Sequence, residues 1–392
     1  MKNRTKIAAG LLATVLVLGG CTVTGVAASD SSTTPVISTS TSSDVTSSSS
    51  ATTSPTATDT SIDVDWDSLP TTEVTLSSAG LTIIEAGTYV ISGTSTGQVV
   101  VDTDGAVRIV LGGVTINSSE GAAIQVDNAE LTVIELADGS TNTLSDASTR
   151  SDEEIDGAIY SADDLYLTGD GTLNLTANFA DGIVGRDDLW VLSGTVNVTS
   201  VDDGIRGTDS LTIAGGTITV DATGDGLKSS NDTDLGAGQV SITGGTVTIS
   251  TGDDAIKAEQ KIWIAGGTVT ISESVEGIEA PVIVIDDGDI TLSASDDGIN
   301  ASTSEIITDG LSITINGGSL TVTMGAGDTD AIDSNGDLAI NGGTIDITAQ
   351  SPFDYDGTGS LTGGTVTVSG RQVTELTNQM MGGAGGQGGG PR

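Results

Sequence analysis

Histidine is absent from the 392 residues, and cysteine occurs once, at Cys21. The first absence removes the commonest zinc ligand and the usual proton shuttle near neutral pH. The second excludes an internal disulfide. Aromatic side chains are scarce, with two Phe, three Trp and four Tyr. Large interdigitating rings therefore do not build the core. Small and β-branched residues must, which favours a thin, regular all-β stack. Positive charge is scarce too, with 12 Lys and Arg against 54 Asp and Glu and a net charge of −42. That imbalance argues against nucleic acid or an anionic membrane as a direct partner. What the chain has in quantity is glycine, at 55 residues, and side-chain oxygen. Hard cations such as Ca²⁺ and Mg²⁺, which take oxygen ligands, fit this inventory.

Composition divides the chain into four stretches. Residues 1–20 read as a targeting segment, with Lys2, Arg4 and Lys6 followed by an apolar run from Ala8 to Leu18. Leu18-Gly19-Gly20-Cys21 resembles a bacterial lipobox, so Cys21 is expected to carry a lipid and become the mature N-terminus. Residues 21–64 are rich in Ser, Thr and Asp and read as a solvated tether. Residues 65–372 form the expected folded domain, and 373–392 a Gly-rich tail. The expected location is the extracellular face of a bacterial membrane, with the membrane touched only through the anchor at Cys21.

The domain is a repeat array. A "GGT" corner recurs at Gly215-Gly216-Thr217, Gly244-Gly245-Thr246, Gly266-Gly267-Thr268, Gly342-Gly343-Thr344 and Gly363-Gly364-Thr365. Thr246 and Thr268 lie 22 residues apart, and each corner leads into a short alternating strand such as "TITVDA". A period near 22 without helical pattern points to a parallel β-helix of about ten coils. A leucine-rich repeat would show a leucine framework, and a propeller blade needs about 40 residues. With coils stacked ~4.8 Å apart, the array would be ~50 Å long, and equivalent residues would form ladders along it.

The second corner is "DDGI" and its variants, including Asp202-Asp203-Gly204-Ile205, Asp253-Asp254-Ala255-Ile256 and Asp296-Asp297-Gly298-Ile299. Alternation places the Ile inward and the next residue outward. Read down the stack, that outward position is Tyr160, Val184, Arg206, Lys228, Lys257, Glu279, Asn300 and Asp333. Three successive bases in so acidic a chain suggest a cationic strip that meets an anionic ligand; the alternative is relief of charge within the ladder. The acid row holds Asp202, Asp203, Asp225, Asp253, Asp254, Glu276, Asp296 and Asp297. One Asp per coil is ordinary turn chemistry. The doubled Asp, stacked coil on coil, matches oxygen-rich Ca²⁺ coordination, although EF-hand spacing is absent. The loop residues Asn231, Asp232 and Asp234 could complete such a site. A third ladder runs through Tyr166, Trp190, Thr212, Ser241 and Trp263. Exposed Tyr166 and Trp190 faces on adjacent coils could stack sugar rings, or simply cover surface.

Long blocks such as "GTYVISGTSTGQVVVDT", "DGAIYSADDLYLTGDGTLNL" and "DDGIRGTDSLTIAGGTITV" resemble a family of secreted bacterial right-handed β-helix proteins, the carbohydrate-binding domain-containing proteins, over about residues 74–370. The family has pectin- and cellulose-binding members. The resemblance implies Ca²⁺ on the Asp-Asp-Gly turns and an acidic polysaccharide, typically polygalacturonate, on the neighbouring Arg206, Lys228 and Lys257. Ala at 255 and 331, and Glu276 in place of a doubled Asp, depart from the pattern. The architecture also looks like that of calcium-dependent polysaccharide lyases, where Lys228 or Lys257 could act as the base. Nearby carboxylates would raise their pKa, which counts against that role. The expectation is a monomeric binding protein rather than an enzyme, with a lyase and a structural adhesion protein as alternatives.

Overall fold

The computed structural model describes residues 62–325 and 329–378. Cys21, the targeting segment and the glycine run after 378 lie outside the described residues. Among those described, the only helix is one 3₁₀ turn, Trp66–Ser68; everything else regular is strand. The expected all-β class and parallel stacking are what the chain adopts.

Each strand follows from its alternation. In Thr217–Ala222, Ile218, Val220 and Ala222 are buried and Thr217, Thr219 and Asp221 are exposed. Thr246–Thr251 repeats the pattern and pairs with it residue for residue, Ile218 against Val247 and Val220 against Ile249. Strands form two sheets, one of 22 and one of 12 strands. In the central repeats the larger sheet takes two strands from each coil, such as Ser210–Ile213 and Thr217–Ala222. The glycine corner joins them. Gly216 there has a φ of 86°, and a Cβ on it would lie 2.8 Å from the carbonyl oxygen of Gly194 in the coil below. The smaller sheet takes one short strand per coil, such as Ile205–Gly207. Its 12 strands exceed the expected number of about ten coils, because the first coils lack the "DDGI" corner that marked the rest.

Pairing is parallel between successive coils, as with Ile205 to Leu227 and Leu227 to Ile256. The longer second interval absorbs the loop 230–238. The core is a column of aliphatics. Ile159, Ile183, Ile205, Leu227, Ile256, Ile278, Ile299 and Ile332 are all fully buried, each contributing about 2 kcal/mol of apolar burial. One pairing in the described residues is antiparallel. Arg371–Val373 folds back on Thr365–Val368, with Val366 opposite Val373. The chain stays packed beyond 372, the expected domain end: Asn378 Nδ2 donates to the Tyr355 carbonyl at 2.6 Å, and Leu376 packs on the core.

Candidate functional site

The outward row of the smaller sheet has the register the sequence implies. Tyr160, Val184, Arg206, Lys228, Lys257, Glu279, Asn300 and Asp333 pair in succession, and Asp354 follows. Toward the N-terminus the row continues through Gln125, Val100 and Thr82.

Beside it the paired aspartates divide their work. Asp202, Asp253 and Asp296 are exposed. Their neighbours Asp203 and Asp254, with Asp181 and Asp225, are buried. Each buried carboxylate accepts a backbone N–H from the acid one coil on. Asp181 Oδ1 takes Asp203 N at 3.1 Å, Asp203 Oδ1 takes Asp225 N at 2.9 Å, Asp225 Oδ1 takes Asp254 N at 3.0 Å, and Asp254 Oδ1 takes Glu276 N at 3.2 Å. Asp297 repeats the contact with Asp330 N at 3.0 Å. Stacked carboxylates survive here because one oxygen of each takes a backbone donor from the next coil.

The other oxygen of Asp181, Asp203, Asp225 and Asp254 faces the bases. Arg206 donates to Asp181 Oδ2 from Nε at 2.8 Å and from Nη2 at 2.6 Å, and also reaches Asp156. Lys228 Nζ lies 3.0 Å from Asp203 Oδ2 and 2.8 Å from Asp225 Oδ2. Lys257 Nζ lies 2.6 Å from both Asp254 Oδ2 and Glu279 Oε2. The three bases are in register but paired inside the ladder, and Arg206 is buried. Burial opposes the charge on Lys228 and Lys257, but the adjoining carboxylates outweigh it and raise both pKa values above the usual lysine range. Such an ammonium holds its proton and is poorly suited to act as a base.

Past Lys257 the row loses its positive charge. Burial, reinforced by the Glu279 charge, pushes Glu276 up to about 8. Burial and the charges of Asp297, Asp354 and Asp330 raise Asp333 to about 7. Burial also raises Asp297 to about 6, against its hydrogen bond from the Asp330 backbone.

Among the described residues, three groups of carboxylates each bring one oxygen per residue within 4.8 Å of the others: Asp225, Asp253 and Asp254; Asp254, Glu276 and Glu279; and Asp164, Asp187 and Asp188. The expected ligands Asp225, Asp253, Asp254 and Glu276 are thus brought together. Asp202, Asp203, Asp296 and Asp297 are not in any such group. Glu279 and the Asp164 group were missed. Glu279 stands on the outward row without being read as a ligand, and the Asp164 group has its signal in the doublets Asp163-Asp164 and Asp187-Asp188, which lack the following Gly-Ile but flank paired strands at Leu165 and Leu189. The donor set is all oxygen and suits a hard cation. Asp225 and Asp254 share their oxygens with lysines and backbone, which leaves the exposed Asp253 as the freest ligand. Loop residue Asn231 is instead a structural pin: its Oδ1 accepts from Asp234 N at 2.8 Å, and its Nδ2 donates to Asp209.

Tyr166 and Trp190 do stack on adjacent coils, with ring centroids 4.3 Å apart and planes within 6°. They are not an exposed platform. Their exposures are 6% and 5%, because Ile62 and Trp66 from the preceding segment pack over them with Leu131 and Leu192. The expectation that these faces meet a sugar fails for that reason.

The family profile of the carbohydrate-binding domain-containing proteins matches residues 77–326 and 273–378, most of the chain. The chain belongs to this family. A curated carbohydrate-binding domain-containing protein of Acetivibrio thermocellus is 36% identical over 133 residues, which cover 32% of this chain and 46% of that protein. The chain therefore spans about half the length of that relative. A solved polysaccharide lyase-like protein from C. thermocellum, a gadolinium derivative, is 33% identical with a TM-score of 0.48, covering 59% of this chain and 92% of its own.

Proposed function

We propose that this carbohydrate-binding domain is a non-catalytic binder of acidic polysaccharide, of the polygalacturonate type, which it meets through Ca²⁺ at the acid corners. The observation that carries the reading is the pairing of Arg206, Lys228 and Lys257 inside the ladder. With those bases engaged, an anionic polymer has no basic strip to meet. A divalent ion between two sets of carboxylates supplies the missing charge. Asp253, exposed beside Asp225 and Asp254, is the best placed ligand on geometry. The resemblance implies calcium and pectin as the ion and polymer, and the Asp253 corner departs from it only in carrying Ala255 where the family's turn has Gly. A right-handed β-helix is the matching architecture, since parallel crossovers are almost always right-handed. Lipid attachment at Cys21 would hold a monomer at the outer surface of the membrane.

The test is retention on immobilised polygalacturonate with Ca²⁺ and with chelator. Loss of retention in chelator, and weaker retention in Asp253→Asn, is the expected result. Retention that ignores the chelator would refute the bridge. Appearance of unsaturated uronate absorbance over a long incubation would refute the non-catalytic reading.

A further inference from the structure

At its N-terminal end the same outward row carries no charge, running through Gln125, Val100 and Thr82. Two clefts lie there. One, of about 370 Å³, has walls that include Gln98, Glu120, Gln125, Asp127, Arg150 and Asp152. The other, of about 350 Å³, includes Thr82, Thr96, Gln98 and Glu120. They share Gln98 and Glu120, so they adjoin across successive coils. Each volume lies in the range of small-ligand sites.

The polar groups are fixed in a relay. Gln98 Nε2 donates to Gln125 Oε1 at 3.1 Å, and Gln125 Nε2 donates to Asp127 Oδ1 at 2.7 Å. The relay sets which amide edge faces the cleft and leaves carboxylate oxygens and a second N–H on each amide for a ligand. Gly121 makes room for it: a Cβ there would come within 2.6 Å of Gln98 Nε2. The far wall is pinned by Arg150, whose side chain is 2% exposed. Its Nη2 donates to Asp146 and to the Gly157 carbonyl, and its guanidinium lies 5.0 Å over the Phe179 ring. Arg150 Nε and Nη1 have no protein hydrogen-bond partner.

The charge balance selects the ligand class. The only base on either wall is Arg150, already neutralised by Asp146. Glu120, Asp127 and Asp152 would repel a uronate. None of those three acids belongs to a carboxylate group close enough to hold a metal ion. Fixed amides and carboxylates facing an open cleft complement hydroxyl groups, which both donate and accept.

We infer that the joined clefts around Gln98 and Gln125 are a second binding site, for an uncharged, hydroxyl-rich glycan chain, which needs no metal ion. The inference rests on the carbohydrate-binding reading but not on the acidic ligand or the calcium. It is tested by calorimetric titration of the full chain with cellohexaose, xylohexaose and mannohexaose in the presence of chelator. Saturable binding of at least one is expected, weakened about tenfold or more in Gln98→Ala and Gln125→Ala. Both variants are expected to melt with wild type and to keep their calcium-dependent retention on polygalacturonate. Failure of all three oligosaccharides to bind, binding unchanged in both variants, or binding lost in chelator or in Asp253→Asn would overturn it. Loss of polygalacturonate retention alone would sink the acidic-ligand reading and leave this site standing.

Discussion

Two adjacent aspartates with the same letter have opposite roles. Asp203 is 7% exposed, accepts the Asp225 N–H and faces Lys228; Asp202 is exposed. Asp203→Ala leaves a buried N–H and two bases short of a partner, and is expected to cost about 3 kcal/mol in urea unfolding. Asp202→Ala is expected to stay within about 0.5 kcal/mol of wild type. Arg206→Met leaves Asp181 as an uncompensated buried acid and is expected to cost about 3–5 kcal/mol by the same measurement. The sequence shows the row of bases, because period and alternation fix which residues share it. It does not show that side chains three residues apart, such as Asp225 and Lys228, would close onto each other. That depends on how deep the corner sits, which no spacing reveals.

At the level of strands and corners, legibility follows periodicity. "TITVDA" and "TVTIST" announce their buried face and their register, and the glycine corners announce the turn. The segment that covers Tyr166 and Trp190 has no such signature. Trp66 lies in a single 3₁₀ turn outside the repeat, held by apolar contact and by Arg108 5.2 Å over its ring. Only its folding back decides that the stacked pair is core and not surface. Trp66→Ala is expected to open that pair, and quenching of the remaining tryptophan fluorescence by acrylamide should rise. Unchanged quenching would show that Ile62, Leu131 and Leu192 suffice as cover.

For the whole molecule the ledger of charge is what matters. Burial raises Asp254 and Asp333 to about 7 and Glu276 to about 8, well above unfolded carboxyls near 4. Between about pH 4 and about pH 8 the folded chain therefore keeps protons that the unfolded chain has lost. The stability those groups contribute is complete below about pH 4 and is lost as pH rises through about 6–8. Glu279 works the other way. Its bonds from Asp254 and Lys257 overcome burial and lower it to about 2, so its share fades only in strong acid. The melting temperature is expected to be higher at about pH 5 than at about pH 8, and added Ca²⁺ should raise it more at the higher pH. A melting temperature that climbs steadily from acid to alkaline would refute this balance. The parallel stack also has two ends, and an open strand edge is a template for another chain. Arg371–Val373 runs antiparallel along Thr365–Val368 and occupies that edge in the wrong direction for a further coil. A neighbouring molecule cannot continue the parallel ladder from Thr365–Val368, so the hairpin acts there as a chain terminator against end-to-end filaments, and a version ending before 371 is expected to polymerise more readily, visible as rising light scattering at high concentration.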